Sequence, residues 1–388
     1  MDFDPTDDER DVRQAVRALI RDFDDDYWMR CDREHRFPWE FYRVLAEGGW
    51  LGVAIPTEYG GAGKGISEAA IVLEEIAASG AAMNGCSAIH LTIFGMNPVV
   101  RHGSEELRRS VLPRVASGEL HVSFAVTEAG AGTDTTQIAT RARRDGDDYV
   151  VTGSKVWISK AQEADYLLLL TRTIPIEECP RRTDGLTLLL APLDRRHVEI
   201  RPIPKMGRNA VDSNELTIDG LRVPVANRLG EEGDGFRHLL DGLNPERILL
   251  AHESVGIGRA AIRRAVAYAC DRVVFGRPIG QNQGIAFPLA QASAQLDAAE
   301  LLALKAAWLY DRGRPCAREA NTAKLLAAEA AFLAADRALQ THGGFGYASE
   351  YHVERYFREA RLMLIAPISQ EMVLNYLAEH VLGLPRSY

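Results

Sequence analysis

Apolar and polar residues follow three successive patterns along this chain: helical spacing, then strand spacing, then helical spacing again. In residues 8–23 the apolar side chains, among them Val12, Val16 and Ile20, recur every three or four positions, which places them on one face of a helix. Similar spacing in residues 39–50 and 67–83 predicts two more helices, separated by the glycine-rich segment IPTEYGGAGKG. The chain is therefore predicted to be helical up to about residue 120.

The pattern changes to period two near His121, where Val122, Phe124 and Val126 alternate with other residues. Short β-rich runs bounded by Gly, Pro and Asp continue to about residue 235: DYVVTGSKVWIS, DYLLLLTRT, GLTLLLAPL and HVEIRPI. The run ELTIDGLRVP is predicted to form a hairpin about Asp219-Gly220. A β unit is therefore expected between the two helical regions.

Helical spacing returns after GEEGDGF in long segments rich in Ala and Leu, which are typical of helices buried against neighbours. The chain thus has the pattern of an α+β protein. We divide it into an N-terminal helical domain (1–120), a central β domain (121–235) and a C-terminal helical bundle (236–388).

Composition narrows the class of protein. The chain of 388 residues is 46% hydrophobic and 26% charged, and its net charge of −9 argues against nucleic acid as a main partner. Its five cysteines are scattered without a CxxC pair, which favours reduced thiols. The acidic start MDFDPTDDERD does not resemble a signal peptide, and no apolar run approaches the ~20 residues of a membrane span. A cytoplasmic location is expected.

Two segments of the β unit carry candidate chemistry. FAVTEAGAGTDT (124–135) is a strand that leads into a glycine-rich turn, whose backbone N–H groups could bind a phosphate or a ring carbonyl. SKVWIS (154–159) places Trp157 and Ser159 at alternate strand positions, hence on one face, where they could stack on and hydrogen-bond to a flat cofactor. Taken singly, a structural turn and a core tryptophan are the simpler interpretations.

Together, however, these segments resemble the acyl-CoA dehydrogenase family. AVTEAGAGTD and KVWIS match two signatures of that family at its own spacing, and further family segments follow in order: IPTEYGGAG, KMGRNAVDSNEL, LRVPVANRLGEEGDGF, RVVFGRPIGQNQ and QTHGGFGYASEYHVER. The resemblance implies an N-terminal helical domain, a central β-barrel-like domain and a C-terminal four-helix bundle. It also implies FAD as cofactor, an acyl-CoA substrate, an electron-transfer flavoprotein as partner, and a homotetramer built as a dimer of dimers.

Residue by residue, the resemblance implies contacts with three parts of the ligands. The flavin is expected to be bound by Val126, Thr127, Trp157, Ser159, Ser369 and Glu371. The dinucleotide half is expected to be bound by Arg272, Phe275 and Gln283, with Gln340, Gly343 and Gly344 across the subunit interface. The substrate is expected to meet Thr133, Asn244 and Arg247. Without the family, Arg272 reads as a surface arginine and Gly343-Gly344 as a helix C-cap.

The position of the catalytic base needs separate argument. The family removes an α-proton from an acyl thioester, and most members carry the glutamate base just before the flavin contact that Ser369 and Glu371 match. In this chain that position holds Pro367, which accepts no proton. A minority of members (the isovaleryl-CoA and long-chain enzymes) carry the base directly before an arginine on the helix after the β domain, and NPERI resembles them through Glu246.

A plain structural interpretation of the same segment stays open at this point. Asn244 could cap a helix that starts here, with Pro245 at its first position and Glu246 interacting favourably with the helix dipole. The small apolar segment Ala366-Pro367-Ile368, in place of the usual base, favours a branched or bulky acyl group.

The leading hypothesis is an FAD-dependent acyl-CoA dehydrogenase that forms a trans-2-enoyl-CoA. The alternatives are a dehydrogenase of carrier-protein-bound acyl groups, a catalytically inactive flavin-binding subunit, and a flavin monooxygenase or nitroalkane oxidase on the same scaffold.

Overall fold

The computed structural model describes residues 5–387. Its N-terminal part is helical, as predicted, and contains α1 Asp7–Ile20, α2 Asp25–Glu34, α3 Trp39–Glu47, α4 Ile66–Ile76, α5 Ala82–Ile93, α6 Asn97–His102 and α7 Glu105–Ala116. Thr6 caps α1 by accepting a hydrogen bond from the backbone N–H of Glu9. The predicted apolar face of α1 is buried at Val12, Val16 and Ile20, because it packs against α4.

The central part is a mixed β-sheet. Its strands are β1 Val122–Ala125, β2 Arg141–Asp145, β3 Asp148–Ser159, β4 Tyr166–Arg172, β5 Leu186–Pro192, β6 Val198–Pro202, β7 Ser213–Pro224 and β8 Arg228–Leu229. They lie in the order β6-β7-β3-β2-β4-β5-β8, and β1 pairs in parallel with β4. The strand pattern read from the sequence is therefore confirmed.

The hairpin predicted at Asp219-Gly220 is wrong. These two residues lie inside the continuous strand β7, both halves of which pair with β3. Gly220 has a φ of 68°, and the register shift opposite Thr152 makes the pair a β-bulge. A Gly at positive φ fits a bulge as well as a turn, so local sequence does not separate the two.

The C-terminal part is again helical, and its helices are α8 Gly235–Asp271, α9 Gln283–Asp311, α10 Ala317–His342, α11 Val353–Met363 and α12 Gln370–Tyr376. Helices α8 to α11 form a four-helix bundle in which α8 and α10 are the central pair. Fully buried alanines such as Ala251, Ala303 and Ala327 allow the helices to pack closely. A short hairpin, β9 Val273–Val274 and β10 Arg277–Pro278, projects from the end of α8.

The start of α8 differs from the simple capping interpretation. The helix begins at Gly235, so Pro245 lies in its interior and Asn244 is not its N-cap. An interior proline removes one helical hydrogen bond, and packing of the first turns offsets this cost. Gly235 lies against the backbone of β5, where an added Cβ would approach Leu188 N to 2.4 Å, and Leu239 is buried.

All five cysteines are free. None of the helices within residues 5–387 has both the length and the apolar character needed to cross a membrane.

Candidate active site

A buried ion pair ties together the two segments that first indicated a flavin site. Lys155 of β3 is 1% exposed, and its Nζ donates to Glu128 Oε1 at 2.9 Å, to the Val126 carbonyl at 2.9 Å and to the Leu170 carbonyl at 2.8 Å. Glu128 also accepts from the backbone N–H groups of Ala139 and Thr140. The glycine-rich loop after β1 is therefore held against β3 by a fully satisfied ammonium group.

This arrangement presents Trp157 on an open surface. A register shift in β3 between Lys155 and Ile158 accompanies a φ of 63° at Trp157, and the indole is 57% exposed. Ser159 and Thr127 are half-buried, and within residues 5–387 their hydroxyl groups have no hydrogen-bond partner. An exposed flat indole beside two free hydroxyl groups fits a planar ring with polar edges, as the isoalloxazine of FAD requires.

Glu246 lies in the interior of α8 and is 8% exposed. Its carboxylate makes no hydrogen bond or ion pair with any other described residue. Burial raises the pKa of Glu246 to about 7; the neighbouring Arg247 acts against this rise and Glu253 adds to it. A partnerless buried carboxylate with a pKa near neutrality has the properties of a general base.

The structure brings Glu246 into the same region as the segment that would hold the more common base. Burial and, after it, the positive charge of the nearby Arg247 lower the pKa of Lys324 to about 8. Lys324 of α10 donates to the carbonyl of Ile368 and to Gln370 Oε1, both at 2.7 Å. The segment that contains Pro367 is thereby fixed near Arg247.

The remaining residues of this group have mixed positions. Ser369 caps α12 by accepting from the backbone N–H of Met372, and hydrogen bonds from the Glu371 backbone and from Ser369 lower the pKa of the Glu371 carboxyl. Thr133 is exposed in the loop after β1, and Asn244 is half-buried two residues before Glu246. Among the described residues, no hydrogen bond or ion pair joins Thr133 to Asn244 or Arg247.

A second group lies at the far end of α8. Its members are all exposed and are Arg272, Phe275, Gln283, Gln340, Gly343 and Gly344. Arg272 lies 6.0 Å from the ring of Phe345, so the two predicted dinucleotide-binding segments share one face of one chain. An added Cβ at Gly343 or Gly344 would meet nothing within 4 Å, which leaves their backbone open to close approach. These features fit a pyrophosphate-bearing group.

The sequence analysis missed the structural roles of Glu128 and Lys155, although both lie within its quoted segments. The alternation along β3 indicated the role of Lys155, because Lys155 is an even number of residues from the buried Tyr149 and Val151 and so lies on the same inward face. A lysine at such a position requires a buried partner, and Glu128 is the acid in the neighbouring segment.

Comparisons with known proteins indicate the same family along nearly the whole chain. Three family models match: acyl-CoA dehydrogenase N-terminal domain at residues 6–119, middle domain at 123–221 and C-terminal domain at 233–382. The acyl-CoA dehydrogenase fadE12 of Mycobacterium bovis is 40% identical over 97% of this chain and 96% of its own.

Solved structures give the same result. The glutaryl-coenzyme A dehydrogenase in complex with glutaryl-CoA superposes with a TM-score of 0.94 at 31% identity, covering 100% of this chain and 98% of that one. A structure described as an electron transferring flavoprotein of Acidaminococcus fermentans superposes with a TM-score of 0.92 at 28% identity, covering 98% and 100%.

Proposed function

This chain belongs to the acyl-CoA dehydrogenase family of FAD-dependent oxidoreductases that act on CH–CH bonds, and from that premise we propose that it desaturates an acyl-CoA to a trans-2-enoyl-CoA with Glu246 as the α-proton base. The observation that carries the proposal is the buried carboxylate of Glu246, which has no partner in the described chain and whose pKa is about 7. The alternative position of the base holds Pro367.

The proposed reaction removes a proton from the α-carbon and a hydride from the β-carbon, and a C=C bond forms between them. Bound FAD supplies the hydride acceptor. Glu246 takes the α-proton onto its carboxylate, and its burial keeps water away from that carboxylate, so the basicity is not lost to hydration. Trp157, Ser159 and Thr127 hold the flavin ring, and Arg247 binds the substrate near the base.

The acyl group is proposed to be branched or bulky. The position that a glutamate occupies in most relatives holds Pro367, between Ala366 and Ile368. Pro367 has a smaller side chain than the glutamate it replaces and carries no charge, which supports a bulkier apolar acyl group. A straight-chain preference would contradict this part of the proposal and leave the role of Glu246 untouched.

Anaerobic titration of the FAD-loaded protein with straight and branched acyl-CoAs tests the proposal. Loss of the flavin's visible absorbance with branched acyl-CoAs is the expected result. Bleaching only by acyl groups attached to a carrier protein would support the carrier-bound alternative, and bleaching by neither would support an inactive flavin-binding subunit. Rapid reaction of the reduced flavin with oxygen would instead indicate an oxidase or monooxygenase.

The activity is expected to depend on pH through Glu246. Because burial raises the pKa of this carboxyl to about 7, the group is protonated and inactive as a base below that pH. The value of kcat/KM should rise about tenfold per pH unit below pH 7 and level off above it. The raised pKa also affects stability, because the folded protein holds this proton more tightly than the unfolded chain does. The resulting contribution of Glu246 to the free energy of unfolding is present below pH 4.5 and is lost as the pH rises to about 7. A profile without a rise near pH 7 would contradict the assignment.

We further propose that each flavin is completed by a second copy of the chain. Glu246 and Arg272 are separated by 26 residues of α8, which at 1.5 Å per residue is about 39 Å. One dinucleotide bound beside Glu246 is therefore too short to reach the Arg272 surface of the same chain. The exposed Arg272 surface is proposed to bind the FAD of a neighbour, within a dimer of dimers.

A substitution at Phe275 tests the proposed assembly. Its side chain is fully exposed at the tip of the β9–β10 hairpin, at a φ of 52°. Phe275→Asp is expected to lower both the oligomeric mass, measured by analytical ultracentrifugation, and the FAD content per chain, because a charge would be buried at the interface. Met206→Asp, at a large exposed apolar residue between β6 and β7, shows whether an added charge at any such residue has this effect. An unchanged mass in Phe275→Asp would contradict the proposal.

The proposed electron acceptor is an electron-transfer flavoprotein. The family relationship supports it, as does the similarity to the Acidaminococcus structure. Reoxidation of the substrate-reduced protein by such a flavoprotein, followed at the acceptor's own absorbance, tests this partner.

A further inference from the structure

A group of buried polar side chains lies about two turns along α8 from the proposed base Glu246. We call it the inner polar cluster and define it as Ser87, His90, Arg208 and Glu253. His90 Nδ1 and Glu253 Oε1 are 2.9 Å apart and join α5 to α8. Arg208 Nη1 donates to Ser87 Oγ at 3.3 Å, and Arg208 comes from the segment between β6 and β7. Neither the proposed base chemistry nor the flavin contacts use this cluster.

The cluster shares one face of α8 with the proposed base. Glu253 follows Glu246 by seven residues on α8, which is close to two full turns, so both carboxylates share one face of the helix. The separation along the axis is about 10.5 Å. The charge of Glu253 acts on both Glu246 and Arg208. An acyl chain whose α-carbon lies at Glu246 and that extends along this face reaches Glu253.

The other walls of this region come from α5 and β1. His90 and Phe94 are four residues apart on α5, and their rings lie 5.0 Å apart. The ring of Phe94 lies 6.2 Å from that of Phe124, two residues before the flavin-contact residue Val126. The His90 face of α5 is thus continuous with the strand that leads to the flavin. These aromatic walls are suited to the apolar part of an acyl chain.

Two atoms of the cluster lack partners. Glu253 is fully buried, yet its Oε2 accepts no hydrogen bond within residues 5–387. Arg208 Nε is likewise buried and donates to no described atom. Ser87 and His90 are three residues apart on one face of α5, so their partners Arg208 and Glu253 lie at neighbouring positions. A buried acceptor and a buried donor without partners are costly, and a ligand group that both donates and accepts removes that cost. A hydroxyl group has this property, whereas a methyl group does not.

We propose that the acyl pocket ends at the inner polar cluster and that the substrate's acyl chain carries a hydroxyl group, which donates to Glu253 Oε2 and accepts from Arg208 Nε–H. His90 is a positioning residue in this arrangement, because its Nδ1 holds the other oxygen of Glu253. The inference rests on the proposed function and adds its substrate class. The helical separation places the hydroxyl on the distal part of the acyl chain, away from the carbons that react.

Binding without turnover tests the proposal. FAD-loaded Glu246→Gln protein is titrated by calorimetry with ω-hydroxyacyl-CoAs and with unsubstituted acyl-CoAs of matched chain length. At the best length the hydroxylated member should bind about tenfold to a hundredfold more tightly, the range expected of a hydrogen bond to charged groups. In the same background, His90→Leu with Glu253→Leu should bring this ratio close to one, because the carboxylate that accepts from the hydroxyl is removed together with the imidazole paired to it.

The neighbouring pair on α8 gives a matched control. His252 Nδ1 lies 2.7 Å from Glu74 Oε2 of α4, so His252→Gln alters a similar buried pair outside the cluster and should leave the ratio unchanged. Equal binding of the hydroxylated and the unsubstituted acyl-CoA at every chain length would overturn this inference and leave the proposed function intact. An ordered water would then be the partner of Glu253. Failure of every acyl-CoA to bind would overturn the proposed function as well, so the two failures are distinguishable.

Discussion

Replacement of Glu246 by Gln is expected to slow reduction of the flavin by acyl-CoA by about 10²–10⁴-fold, the usual contribution of a positioned general base. The glutamine has nearly the same shape and removes the negative charge, so substrate binding and FAD content should be retained. Stopped-flow measurement of flavin bleaching under anaerobic conditions gives the rate directly. The rise of kcat/KM near pH 7 should disappear together with the rate.

Two further variants make this result specific. Glu106→Gln changes an exposed acid in the first turn of α7 that has no ion pair in the described chain, and it should bleach at the wild-type rate. Glu246→Asp keeps the carboxylate but withdraws it by one methylene, and an intermediate rate is expected because proton transfer needs close approach. If Glu246→Gln bleached as fast as wild type, the base would be another residue.

Sequence reasoning reached Glu246 by family resemblance and not by local physics. Locally, Asn244 and Pro245 have the pattern of a helix start, and a first-turn acid needs no further explanation. The structure removes that explanation, because α8 begins ten residues before Pro245 and the carboxylate lies in its buried interior. Packing of Gly235 and Leu239 against other elements decides the start of the helix, and single-sequence patterns contain no information on such contacts.

The same limit explains the other differences. The strand pattern located β7 but not its bulge, because whether Asp219-Gly220 turns or continues depends on pairing with β3. The inner polar cluster joins residues more than a hundred positions apart, such as His90 and Glu253. Periodicity identifies their helices but not which helix faces meet. Elements and fold class were therefore predictable, whereas long-range polar pairs were not.

The Lys155–Glu128 pair leads to the prediction with the largest expected effect on stability. Lys155→Met is expected to lower the free energy of unfolding by about 3–5 kcal/mol, the cost typical of breaking a buried ion pair. The substitution leaves the Glu128 carboxylate, 9% exposed at its side chain, without its cation, and removes the donor to the carbonyls of Val126 and Leu170. Urea denaturation followed by circular dichroism measures the loss.

The same substitution should also reduce FAD content, because Lys155 holds the loop of Thr127 against the strand of Trp157. The ratio of flavin to protein absorbance measures this effect. Lys64→Met is the matched control: its ion pair with Asp8 is on the surface, and no measurable change in either quantity is expected. Adding Glu128→Gln to Lys155→Met should recover part of the stability, since the unpaired charge is removed while an amide oxygen still accepts from Ala139 or Thr140. If Lys155→Met unfolded like wild type and kept its flavin, Lys155 would not be what holds these two segments together.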